Sequence, residues 1–577
     1  MSQDFAKVLV KDDRLCVTDS VRYAVIKGGA NMTCAQYNAI GAPPFVSNLV
    51  FNVQVPSQET IVARQALIRT VLRFQISSSP VAFDANVPGS GFVFQYGGID
   101  GFSPFPFHAL VNSTQWTINN NTISQNTRDL LSTLVRIHDK RYLQRYNGMT
   151  PVMYDSYAQY SQIPATANNA PFAGFSTACY DGDLLPRGVL PLSIVSGTNY
   201  AAGASARVLV VDFAVTEPCL LSPFVFAGDE GQGMYGIQNF NATYNLTGSV
   251  NNVVRFGGTT ARYTGGVLPT VAFQGLQSAQ LLLQYLTPHP SDLLPSRNVL
   301  PYYELPRYIS AVPTGLSFPA GAVRTVTSSS LQLNQIPDKI YIVVSKAIDQ
   351  RLVTDADSFL PIQGISINWN NSSGLLSSAQ PQDLWRMSVE NGINMSWAEW
   401  SGLANISSSA SATGLVPIIT CGSVLCLEYG KDIELKDDYY APGSLGNFQL
   451  QFNLSVLNNT GADLASTYQM MVIVQNSGVF SLERGVSSSY LGILTKSDVL
   501  EASRTKAVPY SEAIRMVGGG KIGDFFSRVT SKLGDAGRAA LPVLKDIAIG
   551  ALKKQVGMGQ SGGKKMKDMG GLEDRMY

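Results

Sequence analysis

Residues 446–482 read GNFQLQFNLSVLNNTGADLASTYQMMVIVQNSGVFSL. Phe448, Leu450, Phe452, Leu454 and Val456 alternate with Gln449, Gln451, Asn453 and Ser455, a period of two that puts one apolar and one polar face on a half-buried antiparallel strand. Asn458 to Gly461 supplies a turn, and Tyr468 to Val474 (YQMMVIV) follows as a more continuously apolar strand. The pair reads as neighbours in a layered sheet, one strand deeper than the other. The polar face carries no charge, so another part of an assembly can cover it without desolvating ions.

Strand patterns recur on both sides of this stretch. In the first half they fall at 48–55, 61–76, 91–96, 207–216 and 236–250, with a one-residue shift in the last that suggests a bulge. In the second half they fall at 267–286, 324–333, 336–346, 362–369 and 422–428. Helical spacing interrupts each half. Residues 127–146 place Leu130, Leu134, Ile137 and Leu143 on one stripe, and from Leu375 a helical region carries Leu384, Trp385 and Met387, then Trp397 and Trp400 as packing anchors. Residues 147–200 are rich in Pro, Gly and aromatics without periodicity, too long for an ordinary connection, and read as an insertion projecting from a sandwich. A chain of 577 residues exceeds what one core serves. Two sandwiches of similar plan, each closed by a strand pair, account for the length.

Charged residues make up only 14% of the chain, against about 25% in ordinary soluble domains. Ser, Thr, Asn and Gln take their place, as in proteins whose surfaces are covered by neighbouring copies. The net charge of +1 hides an asymmetry: residues 521–577 hold 11 Lys and Arg against 6 Asp and Glu, leaving 31 basic and 35 acidic residues in 1–520. Within that tail Ile522, Phe525, Phe526, Val529 and Leu533, and later Leu541, Leu544, Ile547, Ala548, Ala551 and Leu552, mark amphipathic helix with Lys and Arg on the remaining surface. Such a segment binds a membrane surface or a nucleic-acid backbone, or packs beneath the body.

The chemistry of catalysis is missing. No phosphate-binding loop, dinucleotide fingerprint, zinc-protease helix or serine elbow occurs, and GVSSS at 485–489 lacks the spacing of the last. His108, His138 and His289 are scattered without an evident partner, and His138 reads as a surface residue. Asp355 with Asp357, and Asp437 with Asp438, read as solvated turns, which leaves open only a hydrolase whose two acids are distant in sequence. The six cysteines, at 16, 34, 179, 219, 421 and 426, form no metal cluster and read as reduced thiols, mostly buried. Arg64 reads as a solvated arginine or an interface cation. Sequons such as those at Asn241, Asn245 and Asn453 are cheap in so Asn-rich a chain. No catalytic residue, metal ligand or cofactor is expected.

Four passages carry a resemblance: EPCLLSPF with GMYGIQNFN at 217–241, IPDKIYIVVSKAIDQRLVTDADSFLPIQGISINWNNSSGLLSSAQPQDLWRMSVENG at 336–392, YYAPGSLGNFQLQFNLSV at 439–456 and SGVFSLERGVSSSYLGILTKSDVLEAS at 477–503. In these the chain resembles the double jelly-roll major capsid proteins of polinton-like viruses, virophages and related double-stranded DNA viruses, over most of 45–505. The resemblance implies an all-β double jelly roll, two eight-stranded antiparallel β-sandwiches with helical and loop insertions and a partly helical C-terminal tail. It implies homotrimers with a pseudo-hexagonal outline that tile an icosahedral shell around double-stranded DNA. The partners implied are neighbouring capsomers and a penton or minor capsid protein, in a virion made and assembled inside the host cell. The expected organisation is an N-terminal arm at 1–44, a first jelly roll at 45–258 with an insertion at about 97–205, and a second at 259–482 with an insertion at about 370–420. A connecting segment at 483–519 and the basic tail at 520–577 follow. The arm either ties copies together or caps the first domain.

Viruses of this kind encode an adenovirus-like cysteine protease that cuts after paired glycines. Met516, Val517, Gly518 and Gly519 followed by Gly520 resemble its preference, so cleavage after Gly519 is expected to free the tail, which would contact DNA or a membrane or stabilise assembly; a flexible linker is the alternative. Two other functions fit a β-sandwich chain: a trimeric spike or host-attachment protein using residues 147–200, and a carbohydrate-active sandwich. The last requires a signal segment and clustered carboxylates, and the chain opens on no secretory-type sequence.

Overall fold

The computed structural model describes residues 32–492, with breaks of which the longest are 79–93, 138–153 and 159–190. Antiparallel strands dominate. In the first half a six-stranded sheet is ordered Met32–Asn38, Thr270–Leu286, Leu67–Ser78, Arg207–Pro218, Leu192–Ser196, with the short Ile61–Val62 also on Thr270–Leu286. It faces a four-stranded sheet ordered Asn48–Gln54, Asn239–Leu246, Val111–Ile118, Asn121–Gln125. In the second half Arg297–Glu304 and Arg307–Ala311 both pair with Tyr468–Glu483, followed by Lys339–Lys346 and Leu425–Glu428, and Val486–Leu491 adds a further partner to Tyr468–Glu483. The facing sheet sets Val323–Thr327 and Leu331–Gln335 on Leu445–Leu457, then Ile362–Trp369 and Ser372–Leu375.

When the eight main strands of each half are numbered in chain order, one sheet runs 1-8-3-6 and the other 2-7-4-5, in both halves. The chain is therefore two jelly rolls of one plan. The repetition extends to single residues. Each 4–5 hairpin turns on an Asn pair whose first member has positive φ, Asn119 at 53° and Asn370 at 48°, a conformation that Asn tolerates. The Asn119 carboxamide oxygen accepts from Gln238 N at 2.7 Å and that of Asn370 from Gln449 N at 2.8 Å, so each turn is pinned to its seventh-strand neighbourhood.

Leu445–Leu457 behaves as its alternation predicts: Phe448, Leu450, Phe452, Leu454 and Val456 are all buried, and Gln449, Gln451, Asn453 and Ser455 face outward. Several expectations change. Thr270–Leu286 pairs with Leu67–Ser78 over most of its length and closes the first sandwich, so the second begins with Arg297 and not near 259; a strand pattern alone does not say which neighbour it joins. Val111–Ile118 and Asn121–Gln125, within the span read as an insertion, are integral strands of the four-stranded sheet. Met32–Asn38, read as arm, pairs with Thr270–Leu286. The 61–76 run splits into Ile61–Val62 and Leu67–Ser78, and Arg64 between them is buried, its guanidinium donating to Pro223 O at 2.7 Å and Phe224 O at 3.1 Å. Leu375 ends a strand, and the helix opens later, at Pro381–Glu390.

The two cores differ in substance. Rings fill the first: Phe102 stacks on Phe213 at 4.0 Å with 4° between planes, and Trp116 packs against Phe224 at 4.4 Å. Ile340, Ile342, Val344, Val472, Val474 and the alternating residues of Leu445–Leu457 dominate the second.

Candidate functional site

Where the two sandwiches meet, one helix serves both. Thr127–Ile137 sends Leu131 and Val135 into the first core and Leu130 and Leu134 into the second. Each pair is spaced i, i+4 and so shares a face, and a helix apolar on two sides must be covered on two sides. The single stripe expected from sequence held only the second pair's residues. The helix lies over the outer face of the second sandwich's six-stranded sheet. Asp129 forms an ion pair with Arg307 at 2.5 Å, and a crevice between helix and sheet is lined by Leu131 and Ser132 on one side and by Ser345, Gln469 and Met471 on the other.

In the last turn of the helix the contact becomes polar and dry. Arg136 is fully buried; its guanidinium donates to Ser132 O, Asp155 O and Asp357 O, and lies 5.0 Å from the Tyr154 ring and 4.9 Å from the Phe359 ring. Asp357 also holds Arg351 at 2.6 Å and the fully buried Arg255 at 3.4 Å, while Asp155 accepts from Asp357 N at 2.8 Å. Charges this deep persist because Arg255 and Arg351 are paired with Asp357 and Arg136 is hydrogen-bonded to three carbonyls. Backbone bonds reinforce them: Phe256 N to Val353 O, Cys421 N to Ser156 O and Asn394 N to Arg136 O. Tyr468–Glu483 runs on from the second core, at Met470 to Val474, into the first, at Phe480 and Leu482. The seam is a continuation of both cores.

Asp355 and Asp357, read as solvated, are seam residues: Asp355 is buried against Lys346 at 2.8 Å. Alternation and helical period find faces but not ion partners a hundred residues away, which is why Arg255 and Asp155 went unmarked; Arg136, which reads from sequence as lying on the wetter side of its helix, is fully buried. His108 has a partner the sequence hid. Its Nδ1 is 2.6 Å from Glu217, and the same buried carboxylate accepts from the backbone N–H of Phe107 at 2.8 Å and His108 at 3.0 Å. That pair anchors the short Pro106–Leu110 helix. Trp385, Trp397 and Trp400 are packing anchors as expected, in edge and stacked contacts at 5.9 Å. Cys219, Cys421 and Cys426 are buried thiols whose burial pushes them up to about 12, 11 and 12, and Cys34 is exposed. Among the described residues no group of three or more His, Cys, Asp or Glu is placed to hold a metal ion. His138, His289, Asp437, Asp438, Cys16, Cys179 and the processing residues Met516, Gly518, Gly519 and Gly520 lie outside the described residues.

The outward faces of the two smaller sheets share one property. On the first sandwich they present Asn48, Asn52, Gln115, Thr122, Asn241 and Asn245, and on the second Thr325, Thr327, Gln332, Gln449, Asn453 and Ser366, without a charged side chain among the outward positions of either sheet.

Comparison with known proteins agrees with this geometry. A model of the Sputnik virophage major capsid protein first domain matches residues 3–286, and one of the major capsid protein V20 C-terminal domain matches 305–478; the gap between them falls where the second sandwich begins. The putative capsid protein V20 of Sputnik virophage is 29% identical over 590 residues, covering 97% of this chain and 95% of the relative. A chain from the cryo-EM structure of the Sputnik virophage superposes with a TM-score of 0.71 at 26% identity, over 88% of this chain and 97% of that one. The mavirus major capsid protein shares the fold at 16% identity with a TM-score of 0.68, over 85% and 95%. With both halves matched by models of the same capsid subunit and the whole length by a relative, this chain belongs to the virophage double jelly-roll major capsid protein family.

Proposed function

We propose that the chain is the main shell subunit of an icosahedral virion, acting as a homotrimer with a pseudo-hexagonal outline that tiles around double-stranded DNA. The observation that carries this is the repetition of one jelly roll twice in a chain, the two copies locked by a shared helix and a shared strand. Three such subunits place six like sandwiches around a three-fold axis, and closed symmetry covers faces that would be hazardous on a monomer. The charge-free outer faces of the smaller sheets suit contact with neighbouring capsomers, because amides and hydroxyls exchange water for protein partners at little cost. A penton or minor capsid protein fills the remaining lattice positions, and assembly takes place in the host cell. Cleavage after Gly519 by a viral cysteine protease releases the basic residues 520–577 to contact DNA or a membrane.

Native mass spectrometry of the full chain, with negative-stain imaging of the same sample, tests the trimer. A three-copy mass with a hexagonal outline is expected, and a monomer at all concentrations overturns it in favour of a spike or lectin-like sandwich. Intact mass of subunits from particles tests the cleavage, which fails if residues 520–577 are retained.

A further inference from the structure

Between Thr127–Ile137 and the sheet it covers, the packing leaves one small polar space. Ser132 lines it from the helix, and Ser345 and Gln469 line it from the sheet. Ser345 and Gln469 are paired residues of neighbouring strands, so their side chains stand beside each other on one face. Ser132 is 7% exposed and Ser345 5%, and Gln469 is half-buried. None of the three side chains has a hydrogen-bond partner among the described residues. For Ser132 this departs from habit, because a serine inside a helix has the carbonyl four residues back within reach. The second sandwich's own helix shows the ordinary outcome: Pro381–Glu390 buries only Leu384 and Ser388, and Ser388 Oγ donates to Leu384 O at 2.8 Å. Ser132 makes no such bond and lines the space instead.

Hydroxyls and carboxamides taken out of water without partners are costly, so a molecule that bonds to all three belongs between them. Size and charge select it. The space is about 20 Å³, where one water needs roughly 10–15 Å³ and two need twice that. The charged side chains around it balance, Arg128 and Arg351 against Asp129 and Asp357. Asp129 is paired with Arg307 and Asp357 with Arg351. An anion would meet two carboxylates there, and a cation two guanidiniums. A single neutral molecule that both donates and accepts meets no such opposition.

We infer that one ordered water is bound in this space, bonded to Ser132 Oγ of the first sandwich and to Ser345 Oγ and the Gln469 carboxamide of the second. Three bonds are the usual complement of a buried water. It is then a structural part of the seam, joining the two sandwiches at a point where no side chain spans the distance directly.

The test is a crystal structure of the full chain at a resolution that shows ordered solvent, from chloride and in parallel from bromide. A single solvent peak within hydrogen-bond distance of Ser132 Oγ and Ser345 Oγ, in every copy and without anomalous signal in bromide, is expected. No peak, with Ser132 bonded back to Arg128 O, overturns the inference, and so does an anomalous bromide peak. Urea unfolding of Ser132→Ala, Ser345→Ala and the double variant gives a second readout. Two hydroxyls that act through one water are coupled, so each single substitution lowers the midpoint and the double lowers it little further than the worse single. Shifts that add, or no shift in any variant, overturn the bridge.

Discussion

The first and second sandwiches share a strand order and an Asn-Asn hairpin, yet are stabilised by different means. The first packs rings, with polar edges satisfied inside: Trp116 Nε1 donates to Tyr244 at 3.0 Å, and His108 and Glu217 bind at the foot of a short helix. The second packs branched aliphatics on strands, and its Lys339–Lys346 strand is buried on both faces over six consecutive residues. That double burial is not a property of the second sandwich alone. Its outer face is dry because the first sandwich lends it a helix, so topology is repeated while burial is distributed between unequal partners. Among the described residues the equivalent face of the first sandwich carries no such helix and leaves Arg69 exposed and Leu67, Val71 and Leu282 half-buried.

The seam is where this comparison breaks with the largest effect. Arg136→Ala strips the guanidinium from three carbonyls and two rings and leaves a buried polar gap. Leaving buried carbonyl acceptors without their donor costs about 1–3 kcal/mol each. Urea denaturation followed by tryptophan fluorescence is expected to change from one transition to two, and thiol labelling under native conditions is expected to reach Cys421, beside the seam, before Cys219. A single sharp transition at unchanged midpoint would mean that the sandwiches are coupled elsewhere.

Leu134→Ala sharpens the assignment. Leu134 is covalently part of the first sandwich but packs in the second core, whereas Leu131, three residues earlier, packs in the first. Each truncation costs about 2–5 kcal/mol. With labelling as the readout, Leu134→Ala is expected to expose Cys421 and Cys426, and Leu131→Ala to expose Cys219. The opposite pattern would show that the helix belongs energetically to one sandwich.

The same contrast explains what the sequence disclosed. Leu445–Leu457 was legible because a half-buried strand writes its environment in a period of two, and the alternation survives in the burial of each side chain. Thr270–Leu286 was legible as a strand but not as the last strand of the first sandwich, since pairing with residues 67–77 is set by a partner two hundred residues away. Thr127–Ile137 showed its helical period, yet nothing in Leu130, Leu131, Leu134 and Val135 says that the pairs face different cores. Arg64 and Asp357 looked like surface charges because isolated ions usually are; only the fold brings them their carbonyls and guanidiniums. Outside the second sandwich's strong alternation, resemblance carried more than periodicity did.

Ser388→Ala probes the helix left open on one side. The fully buried Ser388 hydroxyl donates to Leu384 O at 2.8 Å and accepts from Cys426 N at 3.1 Å, and so satisfies the N–H of the edge strand Leu425–Glu428. Leaving that donor unsatisfied costs about 1–3 kcal/mol. Hydrogen exchange should accelerate at Cys426 and in Pro381–Glu390 while Thr127–Ile137 stays protected; equal acceleration in both helices would contradict the asymmetry.

The smallest effect concerns pH. Burial raises the thiols of Cys219 to about 12, Cys421 to about 11 and Cys426 to about 12, against 9.0 when solvated. In each case desolvation is the first cause, and for Cys421 the neighbouring Arg136 opposes it. An acid whose folded value is raised binds its proton more tightly when folded, so its contribution is complete below pH 9 and is lost as pH rises from 9 toward 11–12. Between pH 9 and 10 each such thiol removes about 1 kcal/mol, more than a buried tyrosine, whose ordinary value of about 10 is reached only at the end of that interval. The second sandwich holds two of the three. In the Arg136→Ala background, where the transitions separate, the one assigned to the second sandwich should lose more stability over that interval than the one assigned to the first, and Cys426→Ala should narrow the difference by about 1 kcal/mol. Equal slopes without that substitution would place the titrating groups elsewhere and remove the thiols as a measure of how unequally the chain buries its two halves.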